Sequence, residues 1–259
     1  MSKKGILLAG HGSTSHSNES AITMHAENLK KRGYENVYHG FKGYSKPYIQ
    51  NVIQQMAEDG IDDVIVVPMF IARGHYTNDV VPKRVGLQKG EKEGTITIND
   101  STVNIRITDA FGYHPMLSDI ISKMVDEMNI KGKRNGIILI GHGSKGVENQ
   151  NMVSINLDRL KDRYENVYMA FNEFNEPSID DTLGSMCKDG VEHIIAIPLF
   201  VSPGEHTEKD LPEKLGLSDD RRTGSVKLNG REMTVSYGRP IGTRPEIVEI
   251  VGSLIEPYL

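Results

Sequence analysis

The sequence predicts an α/β protein made of two tandem copies of a Rossmann-like, parallel-sheet unit. Three observations carry that expectation. The apolar run Ile6-Leu7-Leu8-Ala9 ends at Gly10-His11-Gly12-Ser13, and its twin Ile137-Ile138-Leu139-Ile140 ends at Gly141-His142-Gly143-Ser144. Matching segments recur down the chain: Tyr34-Glu35-Asn36-Val37-Tyr38 as Tyr164-Glu165-Asn166-Val167-Tyr168, Val67-Pro68-Met69-Phe70 as Ile197-Pro198-Leu199-Phe200, and Pro82-Lys83-Arg84-Val85-Gly86-Leu87 as Pro212-Glu213-Lys214-Leu215-Gly216-Leu217. Strand-like apolar runs also alternate with helical stripes, the order that gives a parallel sheet with right-handed crossovers. The offset is 131 for the Gly-His-Gly-Ser motif and 130 for the later segments, so one residue is gained or lost between them. The expected organisation is a first repeat over 1–130, a polar linker over 131–135 and a second repeat over 136–259, with a cleft between the halves.

Within a repeat each element has its own signal. The first apolar run is a buried strand. A helix is expected over 19–32, where Ile22, Ala26 and Leu29 share one face. A short strand over 36–40 leads to a helix over 47–58, with proline in its first turn and Ile49, Ile53 and Met56 on one stripe. A strand over 64–67 stops at Pro68, which has no N–H to give a ladder. A glycine-containing loop and a short helix ending at Gly86 follow. Residues 95–98 and 103–107 read as a hairpin about Asn99-Asp100, and the second repeat has Asn229-Gly230 at that place, a two-residue turn signal. Final helices are expected over 116–128 and 245–254.

Composition bounds the function. Among 259 residues, 37% are hydrophobic and 25% charged, a globular balance. The apolar runs are too short to span a bilayer, and the N-terminus enters a strand with no room for a signal peptide. The net charge of −5 lacks the electrostatic footprint of a non-specific nucleic-acid binder. A single cysteine, Cys187, cannot form an intramolecular disulfide; a buried thiol and a cytoplasmic location are expected.

In such sheets ligands lie beyond the carboxyl ends of the strands. In the second repeat His142 ends the first strand, Glu173 follows the second, and His206 follows the third. Two imidazoles and a carboxylate can hold a divalent transition metal with an open position, or they can accept protons. In the first repeat His11 is kept, but Gly43 stands where Glu173 stands, His75 aligns with Glu205, and Tyr76 aligns with His206. His16, His25, His39, His114 and His193 have no counterpart in the other repeat and are expected at the surface or in packing. Arg73, Lys42, Lys46, Lys209, Arg239 and Arg244, with the hydroxyls of Ser13 and Ser144, are the donors near the strand ends for an anionic ligand.

These motifs resemble the class II tetrapyrrole chelatases, most closely the CbiX-type sirohydrochlorin cobaltochelatases in their long, tandem-repeat form. The resemblance rests on Gly-His-Gly-Ser, on the Phe171, Glu173 and Pro177 pattern, and on the stretch from Pro198 through His206 to Pro212. It implies insertion of a divalent metal into sirohydrochlorin, with Co²⁺ first and Ni²⁺ or Fe²⁺ as alternatives. The metal is then a substrate, and no permanent cofactor is implied. It assigns metal binding and proton handling to His142 and His206, with His11 and His75 as the first-repeat pair, and its glutamate to Glu173. The tetrapyrrole carries many carboxylates, for which Ser13, Ser144 and Arg73 are the expected contacts. No nucleic acid and no membrane are expected as partners, and a tandem repeat lets a monomer do what two short chains would do. The rival reading is a non-catalytic carrier of tetrapyrrole or metal. A serine hydrolase is disfavoured, because the Gly-x-Ser-x-Gly nucleophile elbow is absent.

Overall fold

The computed structural model describes residues 2–259. The first repeat runs β1 (Lys4–Gly10), α1 (Ser17–Lys31), β2 (Val37–Phe41), α2 (Ile49–Glu58), β3 (Asp63–Pro68), α3 (Val81–Arg84), β4 (Glu93–Ile98), β5 (Ser101–Ile107) and α4 (Met116–Met128). The second repeats that order as β6 (Asn135–Gly141), α5 (Glu148–Lys161), β7 (Val167–Phe171), α6 (Ile179–Lys188), β8 (His193–Pro198), α7 (Leu211–Lys214), β9 (Thr223–Leu228), β10 (Arg231–Tyr237) and α8 (Ile247–Ile255). The expected elements are all present, with ends shifted by one or two residues where turns fray.

Each repeat forms one five-stranded sheet, in the order β2-β1-β3-β5-β4 and β7-β6-β8-β10-β9. Four strands of each are parallel, and β4 and β9 run antiparallel at one edge. The hairpin is therefore part of the sheet: β5 pairs with β3 and carries β4 outside it. Its turn holds Asn99 at φ 46° and Asp100 at φ 63°, and the second repeat has Asn229 and Gly230 at 51° and 75°, the doubly positive geometry that matches strand twist.

The repeats and the compact units do not coincide. One unit comprises residues 2–114 with 245–259, and the other residues 115–244. The units part from the repeats, expected over 1–130 and 136–259, at the final helices. α8 packs in the first unit on α1 and β3, and α4 packs in the second on α5 and β8. Both helices carry an apolar stripe and both sheets offer an apolar face of the same design. The sequence of one repeat thus cannot say which copy its last helix covers.

The strands alternate their side chains between two faces. In the first unit Leu7, Ala9, Val64, Val66, Val103 and Ile105 meet α2 and α3 through Ile49, Val52, Ile53, Met56, Val81 and Val85. Ile138, Ile140, Ile194, Ala196, Met233 and Val235 do the same with α6 and α7 in the second. Both sheets are buried on two sides, which is why their parallel strands read as continuous apolar runs. Cys187 is buried at 3% exposure, as expected of a thiol on the apolar stripe of α6.

The change of offset has a local cause. The buried positions of α1 (Asn18, Ala21, Ile22, His25, Ala26, Leu29) match those of α5 (Asn149, Met152, Val153, Asn156, Leu157, Leu160), all at 131. The extra residue is Gly33, at φ 89°, directly after α1. Its N–H donates to the Lys30 carbonyl and the Tyr34 N–H to the Leu29 carbonyl, the two bonds of a glycine-closed helix end. The second repeat goes without that glycine: the Tyr164 N–H donates to the Leu160 carbonyl, four residues back.

Candidate active site

The strand-end loops are built alike in the two units. Gly12 and Gly143 lie at φ 80° and 87°, a region that glycine enters without strain. A Cβ there would fall 2.0 Å from the Gly43 carbonyl oxygen and 1.7 Å from that of Glu173, so the loops close only with glycine. Asn18 and Asn149 accept from the Gly12 and Gly143 N–H groups at 2.9 and 3.0 Å. These asparagines were not among the expected site residues, and the signal that marks them is their recurrence at the same offset as the histidines.

This loop fixes the imidazole. The Nδ1 atoms of His11 and His142 each lie 2.9 Å from the carbonyl oxygen of the next glycine. A carbonyl can only accept, so Nδ1 carries the proton and Nε2 presents its lone pair. What meets that ring differs between the units.

In the second unit it is His206, edge-on at 4.7 Å between ring centroids and 82° between planes. His206 opens a π-helical turn, His206–Asp210, that runs into α7; Thr207 pins the turn through its hydroxyl, 2.9 Å from the Gly204 N–H. The wide turn brings Asp210 back to the same ring, its Oδ2 2.7 Å from His206 Nδ1. The Asn172 amide nitrogen approaches Nδ1 at 3.1 Å, and Lys214 Nζ donates to Asn172 Oδ1 at 2.9 Å, which fixes the amide's direction. Asp210 requires a proton on Nδ1, and the Asn172 N–H requires a lone pair there. The ring can thus offer either a lone pair or a proton at Nε2. Asp210 was not among the residues expected from the sequence. Its i, i+4 spacing to His206 is the signal that could have found it.

In the first unit Tyr76 takes that place, edge-on to His11 at 4.8 Å and 88°. His75, the residue expected to pair with His11, has a side chain 68% exposed and lies 3.5 Å from Asp79. Consecutive residues on a helical turn diverge by about 100°, so only one of His75 and Tyr76 can face the strand end. Lys42 stands where Asn172 does, its Nζ 4.9 Å from the Tyr76 ring centroid and 5.4 Å from that of Tyr44. Burial pushes the His11 imidazole below the usual histidine range, against the pull of the Gly12 carbonyl and with added repulsion from Lys42.

Glu173 is exposed; its backbone, rather than its carboxylate, packs against Gly143, and its N–H donates to the His142 carbonyl at 3.0 Å. Among the described residues no three His, Cys, Asp or Glu side chains gather closely enough to hold a metal ion. Of the expected set His142, His206 and Glu173, the structure brings the two imidazoles together and leaves the Glu173 carboxylate outside any three-residue cluster.

The remaining candidates serve the loops. Ser144 Oγ donates to the Gly146 carbonyl at 2.8 Å, and Ser13 Oγ accepts from the Asn18 N–H at 3.2 Å. Arg73 grips Asp109 and lies over the Tyr113 ring at 4.3 Å, and Arg244 grips Glu127 at 2.8 Å. His25 and His193 are buried, as packing histidines should be.

An aromatic residue caps each site. Tyr44 and Phe174 stack on His11 and His142 at 5.8 and 6.3 Å, with planes 20° and 23° apart. They are 66% and 61% exposed and sit at φ 61° and 62°. A non-glycine residue in that region costs about 1 kcal/mol or more, and here both copies bear it.

The family model described as CbiX matches twice, over residues 5–128 and 136–257. The chain belongs to the CbiX family. A probable sirohydrochlorin cobaltochelatase of Halobacterium salinarum is 27% identical over 96% of this chain and 89% of its own length. A sirohydrochlorin cobaltochelatase of Methanosarcina acetivorans is 31% identical over 48% of this chain and 96% of its own, the size of one repeat. SirB from Bacillus subtilis, solved with Fe³⁺, superposes with a TM-score of 0.75 at 16% identity over 98% of this chain and 94% of its own. The cobalt complex of SirB, from subspecies spizizenii, gives 0.70 at 14% over the same shares. The SirB likeness is one of fold. The CbiX match spans both repeats and leaves out residues 129–135, which include the linker expected from the sequence.

Proposed function

We propose that the protein is a sirohydrochlorin chelatase, that Co²⁺ is the metal it inserts, and that the second unit carries the reaction. The observation that carries this reading is the edge-on imidazole pair His142 and His206, each with its Nδ1 engaged, which leaves Nε2 as the nitrogen for a ligand. The names of the relatives support the substrate and the metal.

Two imidazoles suit a metal that must leave again. A closed three- or four-ligand set would retain the ion, whereas two neutral nitrogens with exchangeable water hold it loosely. Insertion replaces two pyrrole N–H protons by one M²⁺, so two protons must be carried away. His206 is suited to the first of them, because Asp210 and Asn172 support its two tautomers in turn. Glu173 and Glu176 leave the mouth of this unit acidic, favouring a dication and its aquo ligands. His142, bonded only to a rigid backbone carbonyl, is the fixed ligand; His206 is the adjustable one.

The test is to mix protein, sirohydrochlorin and Co²⁺, Ni²⁺ or Fe²⁺ and follow the tetrapyrrole absorbance against the spontaneous rate. Co²⁺ is expected to be inserted fastest, and an H142A/H206A variant to fall to the spontaneous rate. An unchanged rate in that variant would overturn the assignment of the site. Stoichiometric binding without turnover by the unaltered protein would replace the chelatase reading by that of a carrier.

A further inference from the structure

The loops that follow β2 and β7 share a backbone and oppose each other in charge. Lys42-Gly43-Tyr44-Ser45-Lys46 holds two lysines and no carboxylate, and Asn172-Glu173-Phe174-Asn175-Glu176 holds two glutamates and no base. Both place their aromatic residue in the left-handed region, exposed and stacked on the strand-end histidine. The inversion is not isolated. Where the second unit has His206 and Asp210, the first has Tyr76 and Val80.

Every one of these changes removes a feature that favours a dication. The second imidazole becomes a phenol ring stacked on Phe70 at 5.5 Å, and an ammonium lies over that ring. What is left is a neutral imidazole, an exposed tyrosine and two lysines that enter no ion pair among the described residues. Arg73, by contrast, is already committed to Asp109.

We propose that the strand-end loops of the first unit form a metal-free site for a planar, carboxylate-bearing macrocycle, with Lys42 and Lys46 meeting carboxylates and Tyr44 stacking on the ring. This deepens the reading above, because a tetrapyrrole polyacid is the ligand that matches both the cations and the flat exposed ring. Lys42 is pre-placed by its two tyrosine neighbours, so little freedom is lost when it takes a carboxylate. With Lys46 exposed and Lys42 half-buried, the binding is also sensitive to salt.

The experiment is a titration of the full chain with uroporphyrin, a planar polycarboxylate, in the presence of a chelator and followed by fluorescence. Removing the metal pair (H142A/H206A) is expected to leave Kd within about twofold. K42Q/K46Q, with circular dichroism unchanged, is expected to weaken binding about tenfold, and K42R/K46R to restore it. Tyr44→Ala should cost about fivefold. Binding that is indifferent to K42Q/K46Q, or lost in H142A/H206A, would overturn the proposal. Co²⁺ insertion into sirohydrochlorin is measured alongside. Absent insertion with lysine-dependent binding would sink the chelatase reading and support this site. Insertion with lysine-independent binding would do the reverse.

Discussion

Two loops that fold alike, one after β2 and one after β7, teach how a duplicated unit divides labour. Both glycine-flanked histidines are held by the same carbonyl and flanked by the same asparagine-capped turn. The difference lies in what each ring meets: Tyr76 and Lys42 in one unit, His206, Asp210 and Asn172 in the other. The shared backbone keeps the loop's shape while its neighbours change. On the proposed reading, one imidazole beside an ammonium disfavours a dication, whereas two imidazoles beside an acidic loop favour one.

The contrast can be broken most sharply at the histidines themselves. His142→Ala is expected to lower Co²⁺ insertion by about 10²–10⁴-fold, the range for loss of a positioned proton-handling or ligating group. His11→Ala should cost less than about tenfold in the same absorbance assay. Equal losses would erase the distinction between the units.

A smaller effect is expected one step away. Asp210→Ala should reduce insertion by about 10- to 100-fold, the usual cost of removing the group that orients a ligating histidine. Asp210→Glu should recover part of it, and the absorption spectrum of Co²⁺ bound to the protein without tetrapyrrole should shift in the alanine variant. Val80→Asp in the other unit should change neither quantity.

The comparison can also be sharpened by transplanting one site into the other. K42N/G43E/Y76H/V80D rebuilds the second unit's neighbours around His11, and a Cβ at Gly43 meets nothing within 4 Å. Co²⁺ bound per chain, measured by calorimetry, should rise by about one equivalent if two imidazoles with a supporting carboxylate suffice for a site. An unchanged stoichiometry would mean that the loop charge is not what separates the units.

The smallest effect concerns pH. Burial holds His11 below its ordinary pKa of 6.5, so the unfolded chain takes up this proton before the folded one does. Stability from this group is complete above the unfolded value and is lost as pH falls below it toward the folded pKa. Denaturant midpoints should therefore decline over that interval, and His11→Asn should flatten part of the decline. His39 and His193, also lowered chiefly by burial, act in the same direction.

Much of the site's placement is legible in the chain itself. The apolar run ending at Gly-His-Gly-Ser placed His11 and His142 at strand ends, and the position of His206 after β8 brought it to the same end of the sheet. Lys42 and Lys46 were visible as cations near the mouth. Asp210 was marked only by its spacing of four residues from His206; that it meets the same ring depends on a π-helical turn that no periodicity announces. Glu173 was legible as a residue but not as an orientation. Its loop turns the carbonyl toward Gly143 and leaves the carboxylate exposed.

By itself the sequence determined the duplication, the order of elements, the parallel sheets and the side of each sheet where chemistry gathers. These follow from apolar period, glycine placement and strand–helix alternation, which are local properties of the chain. Only the tertiary structure decided three further points. It showed that Tyr76 rather than His75 meets His11, that Asp210 sets the second imidazole, and that α4 and α8 are exchanged between repeat and unit. Each turns on which of several chemically equivalent surfaces or neighbouring side chains comes into contact. That choice is made by packing and loop conformation, where one residue along a helical turn changes the direction of a side chain by about 100°.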